Sequence, residues 1–406
     1  MSPHTKNCGY DTRFIRLRVT TIATDSRYGW LITRLGVASF MRNVVIIGGG
    51  VIGCLSALNL LDAGVRVTLV ERQQVGGEAS WAGGGIVSPL YPWRYSQAVS
   101  ALSRWSQGFY PELASRLAES TGIDPQVTAC GLLWLDSDEQ AEALAWAAGQ
   151  GTSLSSVDAG FIYQRVPVLA AGHQSALWQE DLANVRNPRL MAALRACLAK
   201  SPDCRLLEDA PDARLLVEDG RVAGVYCAGE TLRADATVLA SGAWSGDFLT
   251  GLGLALPVEP VKGQMLLYKT DPDWLRSVVL CGGRYAIPRR DGHILIGSTL
   301  EREGFDKTTT EVALNSLRTS AAQLLPALAE QQPIRQWAGL RPGSPEGIPY
   351  IGEVPDYPGL WLNTGHYRNG LVLAPASCRL LADLILSRQP IIDPLPYRIE
   401  GRVHRL

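Results

Sequence analysis

Val44-Val45-Ile46-Ile47-Gly48-Gly49-Gly50-Val51-Ile52-Gly53 decides the fold of this chain. Four apolar residues run straight into a glycine-rich turn, as in a strand buried on both faces that ends at a phosphate-binding loop. Gly48 permits the tight turn, Gly50 lets the backbone approach a pyrophosphate, and Gly53 lets the next helix lie close to the sheet. That helix is expected from about Val51 to Ala63, with Gly64 as its stop. Its N-terminus offers unpaired N–H groups and a partial positive charge to phosphate. A second strand is expected over Val65 to Val70. Glu71 follows it, where an acid accepts ribose hydroxyls and disfavours a 2′-phosphate. Strand, turn, helix, strand and acid together form a βαβ signature for an adenine dinucleotide other than NADP.

Length and charge narrow the rest. The chain has 406 residues, room for two domains of ordinary size. A net charge of −1 and no basic stripe in the folded part give no footprint for nucleic acid. Eight cysteines and five histidines are scattered without a CxxC pair. That spacing favours reduced thiols in a cytoplasmic protein over a disulfide framework or a metal site. Residues 1–40 carry five arginines between Arg13 and Arg34 but no clear periodicity. They read as a disordered or weakly docked extension before a functional start at Met41, with a basic targeting arm as the other reading.

Beyond Glu71, Glu78 to Ile86 is a second small-residue cluster, suited to backbone lying against a flat ligand. Helices are expected over 96–121, 139–149, 189–200 and 311–325, and a last one from about Pro375 to Ser387. Hairpins are expected around Asp219-Gly220 and Asp291-Gly292. Ala236 to Trp244 reads as a late buried strand ending in small residues and returning to the nucleotide site. A plain NAD half-domain has no use for such a strand; a two-domain flavoprotein has.

These pieces resemble the D-amino-acid oxidase type of FAD-dependent amine oxidases, the bacterial glycine oxidases of thiamine biosynthesis in particular. The resemblance spans about residues 42–390. It rests on the Gly48 turn, Glu71-Arg72, Ala79 to Ile86, Ala240-Ser241-Gly242-Ala243-Trp244-Ser245 and Pro260-Val261-Lys262-Gly263-Gln264. It continues with Tyr285-Ala286-Ile287-Pro288-Arg289, Ile296-Gly297-Ser298-Thr299, Trp337 to Pro342 and Gly365 to Gly370. It implies an α/β (α+β two-domain) fold, with a Rossmann-like βαβ FAD-binding domain from 41–90, 185–255 and 340–390. A β-rich substrate domain would take 91–184 and 256–339.

By position, the resemblance puts Gly48, Gly50, Val51, Ile52 and Gly53 at the pyrophosphate and Glu71 and Arg72 beside the adenosine. Ala79, Ser80, Gly84, Gly85, Ile86 and Gly242 would lie along the cofactor. His366, Tyr367, Arg368, Asn369, Gly370, Leu371 and Val372 would wrap the other edge of the flavin. No cysteine lies in Gln336 to Ser344, so the FAD is expected to be non-covalent. The implied reaction is oxidation of glycine, sarcosine, D-alanine or a similar amine by hydride transfer to flavin. Its products would be an imino acid or glyoxylate, ammonia and, with molecular oxygen, hydrogen peroxide. A D-amino-acid dehydrogenase feeding a quinone is the alternative. A thiazole synthase as partner and a homo-oligomer both fit the family.

Such chemistry needs a clamp for the substrate carboxylate, and a bidentate arginine is the natural one. Arg341 is the first choice, with Tyr285 adding a phenolic hydrogen bond and Arg368 a second positive charge. Read without the family, Arg341 better suits a loop tie and Tyr285 a core tyrosine with a satisfied hydroxyl. His366 is open between core residue, flavin donor and proton carrier, and Lys262 has no assigned role. Gly283 stands two places before Tyr285, where relatives can carry a bulkier side chain, which predicts a roomier pocket.

Overall fold

The computed structural model describes residues 41–135 and 138–406, and 41–406 form one compact unit. The expectations for residues 1–40 lie outside the described residues. The first strand, Asn43–Ile47, is central in a six-stranded sheet, flanked in parallel by Arg66–Val70 and Ala236–Leu239. Cys204–Leu207 extends one side, and Leu360–Thr364 and the antiparallel edge Tyr350–Glu353 the other.

The apolar run reads as it does because both faces of this strand are covered. Val44 and Ile46 pack with Leu58 and Leu381 of two helices, Val51–Leu61 and Gly370–Ile385. Val45 and Ile47 pack with Val222 and Val225 of a three-stranded meander, Arg214–Glu218, Arg221–Cys227 and Glu230–Arg233. Ile46 is fully buried, which favours the fold by about 1.5–3 kcal/mol over leaving it exposed.

The last helix begins at Gly370, not near Pro375 as expected. Proline in a helix interior removes one N–H and normally ends the element. Here Leu371 O, which has no Pro375 N–H to accept, takes the Tyr110 hydroxyl at 2.5 Å, and Ala376 N–H donates to Ser106 Oγ at 2.9 Å. Both partners come from the long helix Gln97–Thr121, so tertiary contacts satisfy what the proline leaves open.

An eight-stranded sheet forms the second layer, in the order Arg335–Gly343, Glu259–Lys269, His293–Gly297, Arg284–Pro288, Val278–Cys281, Leu132–Leu135, Ser175–Gln179, Ser155–Asp158. Its register places Trp337, Met265, Gly297 and Tyr285 in one row across four strands. The helix Glu311–Leu324 covers one face through Leu317 and Ala321. Tyr285, Met265 and Ile287 belong to the core on the other.

Candidate active site

A cavity of about 740 Å³ runs between the Gly48 turn and the row containing Tyr285, within the usual range for cofactor sites. Of the residues expected at the site only Gly53 does not line it. Gly53 acts from beneath: a Cβ there would stand 1.8 Å from Gly48 O. Gly48 has φ +111°, and a Cβ would meet Ala240 O at 2.5 Å. The residue that caps the helix after the turn is Gly50, which has no side chain to offer, and there is no acid in its first turn, so its positive end suits an anion.

Glu71 is buried at the end of the second strand. Its Oε2 accepts Gly49 N–H at 2.7 Å and its Oε1 accepts Gln73 N–H at 3.0 Å. The carboxylate thus ties turn to strand while still facing the cavity. Arg72 donates to Glu78 at 2.8 Å and lies 3.6 Å over the Trp244 ring. Ala79–Ala82 is a short helical turn rather than loop, and Ser80 Oγ accepts Val51 N–H at 2.9 Å.

The chain thus provides what an adenine dinucleotide with a flat ring requires. Three buried amide atoms without protein partners, Asn187 Oδ1, Asn363 Oδ1 and Asn369 Nδ2, belong to residues lining this cavity. Buried polar groups demand partners, so they fit a polar ligand. Asn187 and Asn363 escaped the sequence reading. Asn187 opens the helix Asn187–Lys200 and Asn363 lies in the strand Leu360–Thr364, and neither stands in a motif that marks a ligand.

At the far end, Arg341 donates from Nη2 to Ser298 Oγ at 2.7 Å and from Nη1 to Lys262 O and Thr299 O at 3.3 Å. These acceptors are neutral, and among the described residues no carboxylate pairs with it. Burial pulls its pKa down, Tyr285 opposes this, and the Arg368 charge reinforces it. Arg368 is exposed, and among the described residues no carboxylate pairs with it either. Two guanidinium groups that no carboxylate pairs among the described residues, both lining one cavity, are suited to receive a carboxylate. Tyr285 is buried, with its hydroxyl 3.3 Å from Met265 Sδ. Gly263, opposite Gly339 in the sheet, makes room for the arginine.

His366 is buried, hydrogen-bonds Ser377 Oγ at 3.0 Å, and is pushed by desolvation down to about 3. It is neutral near pH 7, which does not suit a proton carrier at that pH. Lys262 is also buried, and its Nζ pairs with Asp306 at 2.9 Å. It anchors the loop beyond Ser298, and does not line the cavity. Gly283 does not line it either. With φ +77° it belongs to the Gly282-Gly283 hairpin turn, and its N–H donates to Tyr91 Oη at 2.9 Å. The expected enlargement of the pocket at Gly283 is therefore corrected.

Comparison with known proteins agrees with this geometry. The DAO family, described as FAD dependent oxidoreductase, matches residues 43–384. A Pseudomonas aeruginosa protein named glycine oxidase is 61% identical over 362 residues, covering 89% of this chain and 100% of the relative. The crystal structure of glycine oxidase from Geobacillus kaustophilus aligns with a TM-score of 0.82 at 30% identity, over 89% of this chain and 99% of that one. A Nostoc protein named bifunctional protein ThiO/ThiG is 34% identical over 87% of this chain, which spans 54% of that relative. From the phosphate turn to the last helix, the chain belongs to the DAO family of FAD-dependent oxidoreductases.

Proposed function

We propose that the protein oxidises glycine and other small amino acids or amines, such as sarcosine and D-alanine, with non-covalent FAD. The products are an imino acid, which hydrolyses to glyoxylate and ammonia, and hydrogen peroxide from oxygen. The reading is carried by Arg341: a guanidinium held by neutral acceptors, unpaired among the described residues, in the cavity of a chain 61% identical to a glycine oxidase. The absence of cysteine among the cavity residues supports non-covalent binding.

FAD, when bound, supplies the acceptor for a hydride from the substrate α-carbon. The chain's own residues bind and orient. Arg341 holds the substrate carboxylate in a charge-assisted pair, and Tyr285 adds a hydroxyl donor to it. Arg368 supplies a second positive charge at the same end. Such positioning removes much of the entropic barrier without a protein acid or base. Gly48, Gly50, Val51 and Ile52 hold the pyrophosphate, and Glu71 and Arg72 the adenosine side. Ala79 to Ile86 and His366 to Val372 flank the ring.

We assign 41–90, 185–255 and 340–390 to the FAD-binding part and 91–184 and 256–339 to the substrate part. Every strand of the six-stranded sheet falls in the first set; Arg335–Gly343 of the other sheet crosses the boundary. The ThiO/ThiG relative joins this fold to a second part in one polypeptide. That supports a role in forming the thiazole of thiamine, with a thiazole synthase as partner. Among the described residues no helix is long and apolar enough to cross a membrane, which accords with a cytoplasmic place.

Anaerobic mixing of the yellow protein with glycine, sarcosine and D-alanine tests the proposal. Bleaching of the flavin, followed by peroxide on admitting air, is expected. A flavin that no small amine bleaches refutes it. Fast dye reduction with sluggish oxygen consumption replaces the oxidase with a quinone-linked dehydrogenase.

A further inference from the structure

Among the described residues, Arg289 is a buried cation that no carboxylate pairs. It leaves the strand Arg284–Pro288, and only 7% of it is exposed. Its Nη1 donates to Asn184 Oδ1 at 2.6 Å and Val185 O at 2.9 Å, and its Nη2 to Gly84 O at 2.7 Å. The nearby Asp291 is engaged elsewhere, by Arg186 at 2.7 Å and His293 at 2.9 Å. Burying a guanidinium on neutral acceptors alone is costly, so its placement calls for a use.

The use lies in the Gly84–Gly85 peptide. Both residues line the cavity. In a trans peptide the carbonyl and the following N–H point in opposite directions. With Gly84 O turned to Arg289, the Gly85 N–H points away from it. Among the described residues that N–H has no protein partner, whereas Gly85 O accepts Val185 N–H at 2.8 Å. We infer that Arg289 is a positioning residue: it fixes the Gly84–Gly85 peptide so that the Gly85 N–H faces the flavin ring as a donor. A cation at the carbonyl end polarises the peptide and strengthens that donor. Dipole and charge both favour the electron-rich ring, so they raise the reduction potential. Burial lowers the Arg289 pKa only to about 10, so the charge persists at neutral pH.

The inference rests on the reading that the ring lies against Gly84 to Ile86. Three variants of the holoenzyme separate charge from geometry. Arg289→Ala removes both, Arg289→Lys keeps the charge but not the fork, and Asn184→Asp keeps the shape and neutralises the charge. The midpoint potential of bound FAD is expected to shift to more negative values in Arg289→Ala and Asn184→Asp, and less in Arg289→Lys. Where Arg289→Ala fails to fold, Asn184→Asp decides. An unchanged potential there overturns the inference, since a purely structural tie has no reason to move it.

Amide exchange of the Ala79–Ile86 segment in wild-type protein, before and after FAD removal, tests the underlying placement. Protection that depends on FAD supports it. Exchange indifferent to FAD refutes the placement and the inference together. Protection with unchanged potentials refutes the role of Arg289 alone.

Discussion

A methyl group on Gly263 would stand 2.2 Å from Arg341 Nη2. The two face each other because Lys262-Gly263 on one long strand lies opposite Gly339-Leu340 on the next, with Arg341 paired to Val261. Gly263 is thus the floor on which the guanidinium rests.

Gly263→Ala is therefore expected to push Arg341 out of line with Ser298 while leaving the dinucleotide turn untouched. Misplacing one charge-assisted contact costs about 1.5–3 kcal/mol, or roughly tenfold to a hundredfold in KM for glycine. FAD content and steady-state KM measured on one preparation check it. An unchanged KM would show that the floor is not needed.

Removing the guanidinium should alter selectivity as well as affinity. Arg341→Ala is expected to weaken glycine binding by about 2–3 kcal/mol. An amine without a carboxylate, such as ethylamine, should lose almost nothing. Comparing kcat/KM for the two substrates in wild type and variant measures this. Equal losses would mean that Arg341 supports the fold rather than the carboxylate.

Why Arg341 could be proposed from sequence and the part of Gly263 could not is a matter of range. The Gly48 turn follows from local backbone sterics, and the Asp219-Gly220 and Asp291-Gly292 hairpins from turn chemistry, so all three were legible. Arg341 came from the resemblance to the amine oxidases and the need for a carboxylate clamp, not from a local pattern. The parts played by Gly263, Met265 and Ser298 come from register between strands distant in sequence. The strands Leu132–Leu135, Ser155–Asp158 and Ser175–Gln179 were missed for a like reason. Leu132–Leu135 is buried throughout and shows no alternation. Gly283 misled because residues two apart in a strand share a face, whereas Gly283 lies in the turn before the strand begins.

The two oxygens of Glu71 serve different donors, Gly49 N–H and Gln73 N–H. A carboxamide has only one acceptor oxygen, so Glu71→Gln must turn an NH₂ group toward one of them. The penalty for a buried donor left unsatisfied is about 1–3 kcal/mol, and in either orientation one anchor of the tie between Gly49 and Gln73 is lost. FAD affinity, followed by flavin fluorescence on dilution, should drop by roughly tenfold or more. A variant that retains FAD as the wild type does would show that the turn holds its shape without Glu71.

His366 gives a pH dependence of stability whose sign is fixed by its burial. In the unfolded chain a histidine titrates near about 6.5; in the fold burial holds it down to about 3. Between these values the unfolded state binds the extra proton. Stability therefore rises with pH across this window, is fully present above about 6.5, and is lost as pH falls toward 3. The slope from this residue approaches about 1.4 kcal/mol per pH unit. His366→Asn keeps a hydrogen-bonding group beside Ser377 but cannot take up that proton. Its melting temperature should consequently fall less steeply than that of the wild type between pH 6.5 and 4, with other carboxylates contributing equally to both. The acid limb of kcat/KM near neutrality should be the same in the two proteins, because a neutral His366 has no proton to lose there. Parallel melting curves in that window would place the imidazole in contact with water or with a negative charge, and its assignment as a buried neutral group would fail.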